Sequence, residues 1–387
     1  MSSPEHSRTT GCNRRSFLAT LGCAGATLLL PKSGMSMQTA AAPDTLLCLG
    51  SFGHDDAGTI HLIAMRNGQC ERLSSTATER PLALATHPKM PILYVANGVK
   101  HYRHEPRGTV EAFFVNAGTG RLELLRRQPL SLSAVDPRAL AVAPDGRSLL
   151  VAAFGGGAYN ILPVDSAGVP GAPSTILKQV GCGADSRSHP AAVSFHPQEG
   201  WAVAADFGAD RLDVLGAESA SPASCGLMVR SRLACGTTSG PSGVAFHPNG
   251  RLLVAMQQRS PALASFRVTR AGALSQVREV PLTSAPTAMA FHPRADVLYS
   301  SAMASTRTSR LETWRINPEE GSFARRGTLD LPVGDIQGMA CAKTTLWLAS
   351  DRGLIAVGLD PLSARPESWT LAAAVPGSSG VALMRGS

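Results

Sequence analysis

One phrase recurs along this chain and limits what it can fold into. It reads Ala-Leu-Ala-Thr-His-Pro at 83–88, Ala-Leu-Ala-Val-Ala-Pro at 139–144 and Ala-Val-Ser-Phe-His-Pro at 192–197. It returns as Gly-Val-Ala-Phe-His-Pro at 243–248 and Ala-Met-Ala-Phe-His-Pro at 288–293. Each copy is followed by a polar turn and a β-prone run such as Ile-Leu-Tyr-Val-Ala or Leu-Leu-Val-Ala-Met. The period, roughly 45–55 residues, belongs to propeller blades rather than helical solenoids.

Two weaker copies, at Gln337–Cys341 and Ser379–Leu383, bring the number to seven. The last has no β-run after it, and an orphan run, Thr45–Gly50, opens the repeat region. The expected fold is therefore all-β: a seven-bladed β-propeller closed by pairing of N- and C-terminal strands. Closure removes sheet edges that would otherwise be open. Strands such as Gly108–Val115 alternate polar and apolar residues, and Gly-containing turns follow them. The composition agrees, with 44% hydrophobic residues, 38 Gly and 27 Pro. The histidines of the repeated His-Pro pairs (His87, His196, His247, His292) recur at one position, which assigns them a structural task at the turn.

Residues 1–42 read as an address and residues 43–387 as the propeller domain. Arg14-Arg15-Ser16-Phe17-Leu18 precedes an apolar stretch to Leu30, and small residues (Ala40–Ala42) follow. That layout resembles a twin-arginine export signal. It predicts export to the periplasm or beyond, with the twin-arginine machinery as a partner. The apolar run is too short for a stable span, so no membrane insertion is expected after cleavage. Three of the eight net positive charges fall in this segment, and the rest are scattered. No basic stripe interleaved with aromatics suggests nucleic acid. Six cysteines lie beyond residue 42, none with zinc-type spacing; Cys225 and Cys235 are close enough to bridge a hairpin. Buried free thiols are the simpler expectation.

Several segments carry a family likeness: Gly108–Phe113 with Gly118–Leu122, Ala143-Pro-Asp-Gly-Arg147, Phe154–Gly157, His189-Pro190, Asp206–Arg211 and Phe246–Arg251. In this order they resemble the lactonase family, which includes propeller-type 6-phosphogluconolactonases and carboxymuconate-lactonizing cycloisomerases. The resemblance covers about residues 45–383. It implies seven blades, a lactone substrate, and neither metal nor cofactor. The chain departs from the family at Ala191, Asn97-Gly98, Gln257, Ser242-Gly243 and Ala139, where acid–base or cationic residues are usual.

Opening a lactone needs a base to activate water and a cation or aligned donors for the carbonyl oxygen. Equivalent strand ends should ring one mouth of the central channel. On this reading the ring is Asn97, Phe154, Asp206, Gln257, Met303 and Asp351. Adjoining loops add His54, Arg103, Arg138, Arg187, His189, Arg259 and Arg307. The catalytic candidates are His189, Asp206 and Arg187: His189 as proton acceptor, Asp206 holding its ring or acting as base, and Arg187 facing the oxyanion or a carboxylate. Ligand-binding candidates are Asn97, Arg103, Arg138 and Gln257. The expected substrate is a sugar-type or related organic lactone, or another anionic small molecule. A propeller that binds a ligand or protein without turnover is the alternative. A third reading uses the polar loop His101–Arg107 as the site of different chemistry.

Overall fold

In the computed structural model, the described residues are 45–53, 55–181, 187–217 and 226–384. The export-type segment, His54, Cys182 and Cys225 fall outside them. The described residues form no helix; they build twenty-eight strands in seven four-stranded antiparallel sheets. Blades 2 to 7 are contiguous, spanning 81–129, 137–178, 190–234, 241–281, 286–331 and 336–374. Blade 1 takes its inner strand, Ser378–Met384, from the C-terminus and its other three strands from Thr45–Glu79. Leu47 pairs with Leu383 and Leu49 with Val381, so the expected seam is present. It is tied to blade 2 by the Ser379 hydroxyl, which donates to the Pro81 carbonyl, and by Thr86, which donates to Leu383 (3.1 Å).

The apolar runs become the second strand of each blade. Ile92–Asn97 and Leu252–Gln257 are buried throughout, because both faces of a blade pack on neighbours. Outermost strands such as Gln69–Glu79 are mostly polar, and nearly all their residues are exposed or half-buried. Seven hydrophobic clusters result, one at each junction between adjacent blades, including Leu47, Leu49 and Trp347 across the closing junction. The core is thus a ring of interfaces rather than one central mass.

The His-Pro histidines lock the junctions at the end of the propeller away from the site. In His87, Nδ1 accepts the Met90 N–H (3.0 Å) and Nε2 donates to the Gly146 carbonyl of blade 3 (3.2 Å). His196 does the same with Glu199 and with Gly250 of blade 5 (3.0 Å). His292 reaches the Lys343 carbonyl of blade 7 (3.0 Å). Gly146 has φ +83°, and a Cβ there would fall on the His87 ring. The glycine of the Asp-Gly turn meets both demands.

Four of the cysteines, Cys48, Cys70, Cys235 and Cys341, carry free thiols. Burial pushes Cys48, Cys235 and Cys341 up to about 12.

Candidate active site

The inner strands of all seven blades start at one end of the channel, and pairing there is irregular in the same way each time. Just inside the start, one residue is skipped: Leu82, Arg138, Ala191, Ser242, Thr287, Gln337 and Ser379. A bulge bends its strand and re-aims the extra side chain. The bulges therefore ring the channel mouth, and Arg138 is their one charged member.

This register corrects the expected ring. Opposite the starts of the inner strands lie Asn97, Ala153, Asp206, Gln257, Ala302 and Ser350. Phe154, Met303 and Asp351 are each one step further on, and one step reverses the face of a strand. Asn97, Asp206 and Gln257 do hold equivalent positions, but all three are buried inside their blades. The Asn97 amide donates to Thr78 Oγ1 (2.8 Å) and the Glu79 carbonyl (2.6 Å). Gln257 turns toward Glu279 (3.5 Å). Neither side chain is open to a ligand.

His189 stands immediately before the inner strand of blade 4 and is partly exposed. Its Nδ1 lies 3.0 Å from the Phe154 carbonyl, across the junction with blade 3. A carbonyl only accepts, so Nδ1 carries the proton and Nε2 is left with a lone pair. The imidazole stacks on Phe154, with ring centres 4.7 Å apart and 20° between planes. Asp206 never touches that ring. Its Oδ1 accepts the backbone N–H of His189 (2.8 Å) and of Ala209 (3.1 Å), and its Oδ2 accepts the Ser188 hydroxyl (2.6 Å) and faces Arg211 (3.4 Å). Asp206 thus positions the histidine through the main chain, where the sequence suggested a grip on the ring or the base itself. The next turn is equally tight: a Cβ on Gly208 would overlap the Arg187 carbonyl, so glycine is required.

Behind Asp206 lies a second buried carboxylate, Asp213, which shares Arg211 and accepts from Tyr159 Oη (3.2 Å). Burial raises the Asp213 carboxyl, and the nearby Arg211 charge opposes that rise.

Two arginines pack on the aromatic rings next to His189. The Arg138 guanidinium lies 3.7 Å from the Phe154 ring centre and is clamped through Nε and Nη2 to Asp136 Oδ2 (3.0 and 2.9 Å). Arg259 lies 4.3 Å from the Phe207 ring centre, with Nη1 3.5 Å from Asp210. Phe207 and Phe154 are themselves 6.2 Å apart, so one cluster joins blades 3, 4 and 5. Cation–π contact and an ion pair together fix each guanidinium. Arg187 is exposed two residues before His189. The aromatic pair thus links Arg138 and His189, which sandwich Phe154, to Arg259 on Phe207, with Arg187 close to His189 in the chain.

Arg103 sits apart, in a hairpin within 101–107. Tyr102 and Glu105 exchange both backbone hydrogen bonds, and Arg103 and His104 take left-handed φ of +50° and +67°. Arg103 stacks on Tyr102, 5.3 Å from its ring centre. Among the described residues no cluster of three His, Cys, Asp or Glu could hold a metal.

Sequence reasoning overlooked the two aromatic platforms, the clamps Asp136 and Asp210, and Asp335. Asp335 directly precedes the inner strand of blade 7, the position His189 holds in blade 4. Burial pushes its carboxyl up; hydrogen bonds from Gln337 (3.3 Å), the Ile336 backbone and Thr287 oppose this. The available signal was the residue just before each recurring phrase.

The Lactonase family model, a seven-bladed β-propeller, matches residues 46–260. No curated protein matches the sequence. Among solved structures, a 6-phosphogluconolactonase candidate from Bacteroides uniformis superposes with a TM-score of 0.77 at 20% identity, covering 88% of this chain and 99% of its own. The periplasmic gluconolactonase of Pseudomonas aeruginosa gives 0.77 at 18% identity, over 88% and 99%. A candidate 6-phosphogluconolactonase from Bacteroides fragilis gives 0.76 at 16%, over 88% and 98%. At these identities the neighbours establish the fold alone. The family match spans more than half of the sequence, and with the closed ring of seven blades it makes this chain a member of the lactonase family.

Proposed function

We propose that this protein opens a lactone ring by hydrolysis at the channel mouth, with His189 as general base. The observation that carries the reading is the hydrogen bond from His189 Nδ1 to the Phe154 carbonyl, which leaves Nε2 as acceptor, in an aromatic cluster that also fixes two guanidiniums. Nε2 takes a proton from water as the water oxygen bonds to the lactone carbonyl carbon. Negative charge gathers on the carbonyl oxygen. Arg138, whose Nη1 is not used by Asp136, is the bulge-ring cation that this reading assigns to it. When the tetrahedral intermediate collapses, the ring C–O bond breaks. The departing alkoxide recovers the proton from the imidazolium, giving a hydroxy acid. Arg259 and Arg187 favour retention of an anionic group on the substrate or product.

Arg14-Arg15 and the apolar stretch after them support export, so the reading extends to an enzyme working outside the cytoplasm on an unphosphorylated sugar-type or related lactone. No cofactor is invoked. The test is hydrolysis of a panel of aldonolactones by wild type and His189→Ala. Turnover should fall about 100-fold or more, with thermal unfolding little changed. Equal turnover in the two proteins removes His189 from the chemistry.

A second reading, ligand binding without turnover, is favoured by the bulge ring, which holds no acid and has Ala191 in blade 4. It is chosen if wild type binds lactones or aldonates but hydrolyses none.

A further inference from the structure

The junction between blades 6 and 7 departs from the apolar pattern found at four others. In six of the seven blades, pairing of the third strand with the outermost strand skips one residue. It is apolar in four of them, Leu73 in blade 1, Leu125 in blade 2, Val277 in blade 5 and Ala372 in blade 7, and an arginine in two, Arg230 in blade 4 and Arg326 in blade 6. Two of these are wedges against the next blade. A Cβ on Gly120 would lie 3.1 Å from Leu73, and one on Gly321 would lie 3.2 Å from Val277. Both glycines have φ +65°. Blade 7 has a left-handed residue of its own, Ala364, φ +55°, between Ser363 and Arg365, which line the same cavity as Arg326. At this position Arg326, in place of an apolar side chain, lines a cavity of about 330 Å³.

Arg315, Arg326 and Arg365 line that cavity, together with Asp296, Thr313 and Ser363. The first two come from neighbouring strands of blade 6, and Arg365 comes from the turn of blade 7. None of the three forms an ion pair among the described residues, whereas the nearby Arg251, Arg310 and Arg325 all do. The one carboxylate, Asp296, accepts from His247 Nε2 (3.1 Å), whose Nδ1 accepts from Asn249 (3.2 Å). The cavity lies at the His-Pro end of the channel, opposite the mouth that holds His189.

From this convergence we infer that the blade 6–blade 7 cleft is a second, non-catalytic binding site for a small phosphate-type oxyanion carrying two or more charges. Three guanidiniums with hydroxyls beside them match such a group in charge and in donor geometry. A phosphate ester and free phosphate share this chemistry.

The test is calorimetric titration of the full chain with inorganic pyrophosphate at low ionic strength. Wild type should bind one equivalent, and Arg315→Ala, Arg326→Ala and Arg365→Ala should each weaken binding about ten-fold or more. Arg121→Ala, exposed on blade 2, should bind as wild type does. Arg326→Leu introduces the leucine wedge found in blade 1; it should melt no lower than wild type and lose the rise in melting temperature that pyrophosphate produces. Titration with inorganic phosphate and with glycerol phosphate ranks the free ion against the ester. No binding by wild type overturns the site. So does equal weakening in Arg121→Ala, or binding to phosphatidylglycerol vesicles with none to pyrophosphate, since those report surface charge alone.

Discussion

His189 gives one nitrogen to the scaffold and keeps the other for chemistry, and its neighbour Asp206 acts wholly on the scaffold side. A fully buried carboxylate that accepts two backbone N–H groups and a hydroxyl while facing Arg211 cannot be neutralised without loss. Asp206→Asn should therefore cost about 2–4 kcal/mol in urea unfolding. It should also reduce turnover, because the His189 backbone loses its anchor. A variant as stable as wild type would show that Arg211 is satisfied by Asp213 alone. His61 belongs to a different balance. Its Nε2 meets Ser51 Oγ and its Nδ1 meets Ser75 Oγ, both at 2.9 Å. Burial lowers its pKa from 6.5, and the charge of Arg72 adds to this. The neutral form is favoured in the fold, so the unfolded chain takes up the proton first. The contribution is full above about pH 6.5 and is lost as pH falls below that value. His87 shifts the same way. Melting temperature should drop between pH 7.5 and 5, and His61→Gln should narrow that drop without abolishing it. An identical drop in the variant would put the acid sensitivity elsewhere.

At the level of elements, each His-Pro turn is a rivet between blades. Removing the ring leaves buried N–H groups of its own turn and a carbonyl of the next blade unpaired. His87→Ala and His292→Ala should each cost about 1–3 kcal/mol. Gly146→Ala should be at least as harmful as His87→Ala, since it adds strain at φ +83° to the same loss. Urea midpoints measure both, and a silent Gly146→Ala would contradict the close approach. The same turns explain what the sequence made legible. Phrase, turn and apolar run recur because every blade buries the same strand on both faces, so strand order and closure were readable. The bulges were not. They follow Pro in five of the blades without the skipped residue having a type of its own: Leu82, Arg138, Ala191, Ser242 and Thr287, with Ser379 at the seam following Ser378, leave no pattern. A one-residue slip there put Phe154, Met303 and Asp351 in a ring they do not share with Asp206. His189 and Arg138 remained identifiable because a histidine and an arginine beside strand starts are chemically conspicuous. Their aromatic platforms arise from contacts between blades, which no local spacing encodes.

For the whole molecule, seven junctions with no central core mean that stability depends on closure. Two of those junctions, with blades 7 and 2, use blade 1, and blade 1 is held together by Leu46–Ser51 pairing with Ser378–Met384. Deleting residues 378–387 uncovers Leu47 and Leu49, strips the inner strand from the seam and opens an edge on each side. Such a chain should lose cooperative thermal unfolding and aggregate, an effect larger than any single substitution above. Loss of ten residues could also act simply by removing local contacts. A circular permutant separates the two causes. Leu46 pairs with Met384, so the two ends of the propeller can be joined by a short linker, and new ends can be cut at the exposed turn around Gly200 between strands of blade 4. The permutant keeps every strand but moves the weak point of the ring from blade 1 to blade 4. It should fold, and deletion of its new terminal strand, Pro190–Phe195, should then be as damaging as loss of Ser378–Met384 is in the natural order. If the permuted chain tolerates that deletion, the blades hold together pairwise and closure is not what stabilises the ring.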